Sequence, residues 1–217
     1  MSIEQARFNM IEQQIRPWDV LDQGVLSLLA VVKREDFVPA EHRAMAFFDT
    51  EVPLGHGQVM LAPKVEGRIL QELDVRRHER ELEVGAGSGY MAALLSHKAR
   101  EVVSVDIEPA LAKLARDNLR RAAITNVNVL EADASKGLPT PGPFDVIVLS
   151  GSVAEVPKHL LAELKVGGRL FGIVGQEPVM RATIFTRTGE QAYRHTEVFD
   201  TVAPRLKGFG EPSRFTF

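Results

Sequence analysis

The apolar positions of the chain change rhythm partway along it. Near the start, Ile3, Phe8, Ile11 and Ile15 recur at near-helical spacing, Ser2 and Gln5 fit a capping box, and Pro17 interrupts the pattern. This spacing predicts a first helix from Ser2 up to Pro17. Val25, Leu28, Leu29 and Val32 share one face of a second helix over 22–32, and Val65 to Leu73 reads as a third. Between them, residues 41–63 are rich in polar and turn residues. From Arg80 onward short apolar runs alternate with amphipathic segments: "ELEVG" (strand), "YMAALLSHK" (helix), "EVVSVD" (strand), "PALAKLARDNLRRA" (helix), "NVNVLEAD" and "FDVIVLS" (strands), "PKHLLAEL" (helix) and "GRLFGIVG" (strand). Strands separated by helices imply right-handed crossovers. The expected fold class is α/β, a doubly wound, mostly parallel, Rossmann-like sheet. "RATIFTRT" and "AYRHTEVFD", separated by Gly189-Glu190-Gln191, predict a C-terminal antiparallel hairpin. Residues 1–78 are expected to form an N-terminal helical extension with a lid loop, and residues 79–217 the cofactor-binding core.

Composition narrows the class. A chain of 217 residues, 45% hydrophobic and 25% charged, fits one core with a terminal extension. A net charge of −3 gives no overall reason to expect a nucleic-acid or membrane partner. There is no cysteine, which excludes disulfides and thiolate chemistry, and no run of apolar residues long enough to span a bilayer. The N-terminal stretch has neither the basic nor the apolar region of a secretory signal, so a cytoplasmic address is expected. No metal site is expected.

The candidate chemistry lies in "LEVGAGSGY", where Gly85, Gly87 and Gly89 follow the first strand of the core. Glycine there permits positive φ and close approach of a ligand to the backbone. A dinucleotide turn wants a small residue at position 90, which is Tyr90, so an NAD-dependent reading is disfavoured. Asp106 ends the next strand, placed to accept ribose hydroxyls, and Asp133 ends the third, placed to meet an exocyclic amine. Each acid taken alone also fits a strand-end turn. With Glu83 they form an acidic crevice suited to a cationic adenosine compound without a pyrophosphate; S-adenosyl-L-methionine fits.

These residues resemble the S-adenosylmethionine-dependent methyltransferases. "EVGAGSGY", "MIEQQIRPWDVLDQGVLSLLAVVKREDFVP", "AFFDTEVPLGHGQ" and "FDVIVLSGSVAEVPKHLLAELKVGGRL" are similar, more narrowly, to the protein-L-isoaspartate O-methyltransferases. That resemblance implies methyl esterification of isoaspartyl carboxylates in damaged proteins, with an isoaspartyl protein or peptide as partner. It implies cofactor contacts from Glu83, Gly85, Gly87, Gly89, Asp106 and Asp133, with Ser88 and Ile107 by position. It also implies that "GHGQVMLAP", with His56, Gly57, Gln58, Val59, Met60, Leu61 and Pro63, folds over cofactor and acceptor.

In that loop the family pattern has a threonine, an isoleucine and an acceptor-side serine where this chain has Val59, Met60 and Leu61. Donors to an acceptor carboxylate are then sought in the backbone, in His56 or Gln58, or in Ser150 and Ser152. For His56 a loop-stabilising hydrogen bond is the favoured role, and for Lys64 a solvated charge. A carboxylate acceptor is already ionised at neutral pH, so its methylation requires no general base, and no catalytic side chain is assigned. Two alternatives stay open: a methyltransferase with a different acceptor, and a cofactor-binding protein without turnover.

Overall fold

A computed structural model describes residues 2–210; Met1 and residues 211–217 of the expected core lie outside the described residues. The centre is a seven-stranded sheet in the order β5-β4-β3-β6-β7-β8-β9. Its strands are β3 (Arg80–Val84), β4 (Glu101–Asp106), β5 (Val127–Glu131), β6 (Phe144–Val153), β7 (Leu164–Gln176), β8 (Val179–Arg187) and β9 (Tyr193–Asp200). The first five pair in parallel, and β8 and β9 add antiparallel pairings. The expected doubly wound sheet and C-terminal hairpin are present. The run "FDVIVLS" continues as strand to Val153, and the helix after it is cut to Lys158–Ala162 because strand β7 already begins at Leu164.

Strand order reverses between β3 and β6, so the crevice beyond their carboxyl ends is the place where a doubly wound sheet takes a ligand. Side chains alternate across β3. Leu82 and Val84 join one apolar layer with Phe144, Ile147, Leu160 and Leu206. Glu81 and Glu83 point to the other face, under α3 (Pro63–Leu73), α4 (Tyr90–Ser96) and α5 (Pro109–Arg121). That layer also takes in the N-terminal helices through Met10, Ile15, Val25 and Leu29.

The first helix departs from expectation. Helix α1 (Ile3–Met10) passes into a π-helical stretch at Ile11–Ile15 and a 3-10 turn at Arg16–Trp18. Ser2 caps it through the Gln5 N–H, but the Gln5 side chain bonds Asn9 rather than closing a box. The buried face is Arg7, Met10, Ile11 and Ile15, while Ile3 and Phe8 are exposed. Arg7 fills the intended apolar position because Glu35 pairs with it in the interior. Helix α2 (Gln23–Val31) starts at the expected Asp22, whose side chain accepts the Val25 N–H at 2.9 Å.

Residues 52–60 form a hairpin rather than a loop. Strands β1 (Val52–Gly55) and β2 (Gln58–Met60) are joined by His56 and Gly57, both at positive φ (55° and 70°), the geometry of a type I′ turn. Gly57 thus serves the turn. Of the apolar residues that follow, Val59 is half-buried and Met60 and Leu61 are both buried.

Gly89 shows how tightly the core is closed at the glycine turn. It has φ +81°, and a Cβ there would lie 3.1 Å from the backbone of Ala115 on α5. The close helix approach that a dinucleotide turn assigns to position 90 falls here on position 89. Gly89→Ala is expected to cost about 1–3 kcal/mol in chemical denaturation, because strain and contact act together. An unchanged midpoint and slope would show that α5 moves aside freely.

Candidate functional site

The site begins with the backbone of the glycine turn. The N–H groups of Gly85 and Ala86 donate to the Val105 carbonyl, at 2.8 and 3.1 Å, and the Gly87 N–H donates to Asp106 Oδ2 at 2.9 Å. The other oxygen of Asp106 accepts the Glu108 N–H, also at 2.9 Å. Asp106 is therefore a clamp between two loops as well as a candidate ribose acceptor. Burial pushes its carboxyl up from the ordinary value, opposed by the two N–H donors.

Two hollows meet at Gly85. One is largely apolar, between Val84, Val105, Ile107, Ala132, Ala134, Leu206 and Phe209, with Asp106 and Gln58 at its edge. The other is polar and acidic at its floor, between Glu66, Glu83, Ser88 and Ser150, under Val59, Met60, Leu61 and Tyr90. The first hollow has the apolar character of a site for a base and the second the polar character of a site for an amino-acid tail.

Glu83 is fully buried and accepts hydrogen bonds from Ser104 Oγ at 2.6 Å and Ser150 Oγ at 2.9 Å. Burial outweighs those bonds and raises its carboxyl to about 8. Among the three acids expected in the crevice, Glu83 is thus the one in which burial favours the neutral form up to about pH 8. Glu66, on the first turns of α3, pairs with Arg34 inside the protein, and burial raises it to about 7 against the pull of that guanidinium. Arg34 also donates to the Leu61 carbonyl at 2.8 Å and lies 5.2 Å from the centre of the Tyr90 ring.

Tyr90, the residue that weighed against a dinucleotide, is a buried anchor. Its ring packs on Phe37 with centroids 5.4 Å apart, and Asn118 donates to both the Ser88 and Phe37 carbonyls. The glycine turn and the "REDFVP" segment, far apart in sequence, are one packed unit.

Other expected residues are distributed less simply. Ile107 lines the apolar hollow and Ser88 the polar one. Asp133 bonds Ser135 and Lys136, which hold its carboxyl below the usual range, while its neighbours Ala132 and Ala134 face the hollow. Ser150 reaches Glu83, but Ser152 is buried apart and accepts from Arg205. Pro63 opens α3, and Gln58 bonds the Gly57 carbonyl. His56 lies 3.5 Å from Glu108, which is also 3.2 Å from Lys207, so hairpin tip and C-terminal segment meet over the Asp106 end of the crevice. Lys64 is not a solvated charge: it pairs with Asp49 at 2.7 Å and stands 4.5 Å over the Trp18 ring.

Arg34, Glu66, Ser104, Leu206 and Phe209 went unassigned from the sequence. Glu66 had a usable signal, a carboxylate one helical turn from Ile69 and Leu70 on the apolar stripe of α3. Leu206 and Phe209 had none, since they are set by a chain path without regular periodicity.

A glycine turn at the reversal point of a doubly wound sheet, with an acid on the neighbouring strand, defines the class of Rossmann-like proteins that bind adenosine-containing cofactors. Within that class, the sequence model described as Protein-L-isoaspartate(D-aspartate) O-methyltransferase matches residues 5–202. The protein-L-isoaspartate O-methyltransferase of Aeropyrum pernix is 40% identical over 208 residues, 94% of this chain and 80% of that one. That of Methanoculleus marisnigri is 40% identical over 169 residues, covering 78% and 77% of the two chains. In structure, the chain is similar to a putative protein-L-isoaspartate O-methyltransferase from Plasmodium falciparum, in complex with S-adenosyl-L-homocysteine, with a TM-score of 0.81, 20% identity and coverage of 93% and 98%. The chain belongs to the protein-L-isoaspartate O-methyltransferase family.

The buried acids give the site a pH signature. Unfolded, Glu83 releases its proton near its model value of 4.5, whereas folded it holds the proton to about 8. Its contribution is whole below 4.5 and is lost as pH rises through 8, a cost on the order of 3 kcal/mol at pH 7. Glu83→Gln is expected to shift Tm in the variant's favour progressively between about pH 4.5 and pH 8. A difference in Tm that does not vary with pH would mean that Glu83 is ionised in the native protein.

Proposed function

We propose that this protein transfers the methyl group of S-adenosyl-L-methionine to the free carboxylate of isoaspartyl residues in damaged proteins, a reading supported by relatives named protein-L-isoaspartate O-methyltransferase. The observation that carries the reading is the pair of hollows joined at Gly85, in a chain that matches the family over residues 5–202. Asp106 retains lone pairs for ribose hydroxyls. Ile107, Ala132, Ala134 and Phe209 supply an apolar slot for a base, and Glu83, Ser88 and the glycine turn face the amino-acid tail. Glu83, Gly85, Gly87, Ser88, Gly89, Asp106 and Ile107 make up the cofactor side in this reading, with Asp133 at its rim. When bound, the cofactor supplies an electrophilic methyl group, which bonds to the acceptor oxygen as its bond to sulfur breaks.

The residues of the chain then have three tasks. The glycine turn and Asp106 orient, Leu54 and Leu206 close the turn against water, and the β2 strand with Val59, Met60 and Leu61 covers the polar hollow. A Cβ at Gly87 would meet Leu54 at 3.2 Å and one at Gly85 would meet Leu206 at 2.8 Å, so both covers sit directly on the turn. In well-oriented reactions alignment and avoided solvent reorganisation can supply up to ~7 to 11 kcal/mol of the barrier, and an ionised acceptor needs no base. The chain fits a division into a helical and lid portion, residues 1–78, and a cofactor core from residue 79 on.

The reading is tested by assaying methyl transfer to an isoaspartyl peptide beside its aspartyl counterpart. Transfer confined to the former is expected, and equal or absent transfer to both would defeat the proposal. Asp106→Asn is expected to weaken S-adenosyl-L-methionine binding by about 1–3 kcal/mol in calorimetry, since a charge-assisted acceptor becomes neutral while one oxygen remains for the loop. Unchanged affinity would reduce Asp106 to its clamp role. Leu61→Ser is expected to raise isoaspartyl turnover modestly, one donor contributing about 0.5–1.5 kcal/mol, with cofactor affinity unchanged. A fall in turnover would show that the apolar strand itself forms the working acceptor site.

A further inference from the structure

The polar hollow holds a carboxyl group that the reading above leaves without a task. Glu66 is 3% exposed and lines the hollow. Its Oε2 pairs with Arg34, while its Oε1 takes no hydrogen bond among the described residues. Glu83, the other acid there, has both oxygens engaged by serine hydroxyls. A buried carboxylate with one oxygen unbonded, in a residue that lines the hollow, calls for a donor, and a cationic one most of all.

Arg34 fixes where that oxygen lies. Its guanidinium is fully buried and divided between Glu66 and the Leu61 carbonyl, so it joins α3 to the hairpin while leaving the hollow side of Glu66 open. With Glu66 ionised the pair is neutral overall. A further anion would confront two acids across the hollow, whereas a primary ammonium would find one acceptor held in place. We propose that Glu66 binds the α-ammonium group of the cofactor's amino-acid tail, with Arg34 as its positioning residue, and that binding releases a proton from the buried acids of this hollow. The inference rests on the adenosyl-sulfonium reading of the crevice and is independent of the acceptor.

The proton follows from the surroundings. The charged and titratable groups facing Glu66 are Arg34, Glu83 across the hollow and Tyr90 on α4, with the Arg7–Glu35 pair behind them. Burial raises Glu66 to about 7 and Glu83 to about 8, so both are partly or mostly protonated at neutral pH. An ammonium group brought beside them favours the ionised form. Affinity for the tail therefore rises with pH across the range in which Glu66 ionises.

Calorimetry with two ligands tests this on the full chain. S-adenosyl-L-homocysteine carries the tail; 5′-methylthioadenosine has the same adenosine and sulfur but no amino-acid group. The wild-type protein is expected to release protons on binding the first and not the second, as read in two buffers of different ionisation enthalpy, with affinity for the first rising between about pH 6 and pH 8. Glu66→Gln is expected to lower affinity for S-adenosyl-L-homocysteine on the order of tenfold to a hundredfold and to leave 5′-methylthioadenosine unchanged. Equal losses for both ligands would make Glu66 a merely structural support and overturn the inference, as would an unchanged affinity for the tailed ligand. The wild-type comparison stands even where the variant does not fold, because equal proton release with both ligands overturns the inference by itself. Failure of the wild-type protein to bind either ligand would instead overturn the cofactor reading, and this inference with it.

Discussion

A single buried cation holds the working parts together. Arg34 sits in a 3-10 turn at Arg34–Asp36, fully shielded from water, and reaches α3 through Glu66, the hairpin through the Leu61 carbonyl and α4 through the Tyr90 ring. Those three elements form the wall of the polar hollow. The two Nη groups of Arg34 are matched by Glu66 and the Leu61 carbonyl, while its Nε has no hydrogen-bond partner among the described residues. Loss of one partner from such a buried pair costs about 3–5 kcal/mol. The position of the N-terminal segment is thus coupled to the glycine turn by charge as well as by apolar packing.

The same economy of burial governs the acids of the central strand. Glu81 and Glu83 alternate onto one face of β3, beneath helices, where ionisation is disfavoured. Glu81 has no hydrogen-bond partner for either oxygen among the described residues, and its carboxyl is pushed well above the usual range by burial. Glu83 differs by having two serine donors and a hollow beside it. Two identical side chains two positions apart therefore have different surroundings: one is sealed in without a partner, and the other is held by two serines at the edge of a hollow.

The crevice is closed from both ends of the chain. The hairpin descends from the N-terminal side with Leu54, and the segment after β9 crosses with Leu206 and Phe209. Glu108 lies between their tips, near His56 on one and Lys207 on the other, and Lys207 and His56 hold its carboxyl below the usual range. Exposed pairs of this kind are weak individually, which suits a closure that has to admit and release ligands.

The sequence by itself determined the alternation of strands and helices, the parallel sheet, the glycine turn after β3 and the acid after β4, because each is a local pattern of periodicity or turn chemistry. It also carried the family, through segments spread along the whole chain. It did not determine that "GHGQVMLAP" is a hairpin, since His56 at positive φ carries no strong local signal, nor that Arg7 replaces an apolar residue in the first helix, since that depends on Glu35 arriving from another element. Only the tertiary structure decided which acids are charged. Glu66, Glu81 and Glu83 are the same letter, and how far each is pushed above the usual carboxyl range is set by the water removed and by partners distant in the chain, among them Arg34, Ser104 and Ser150.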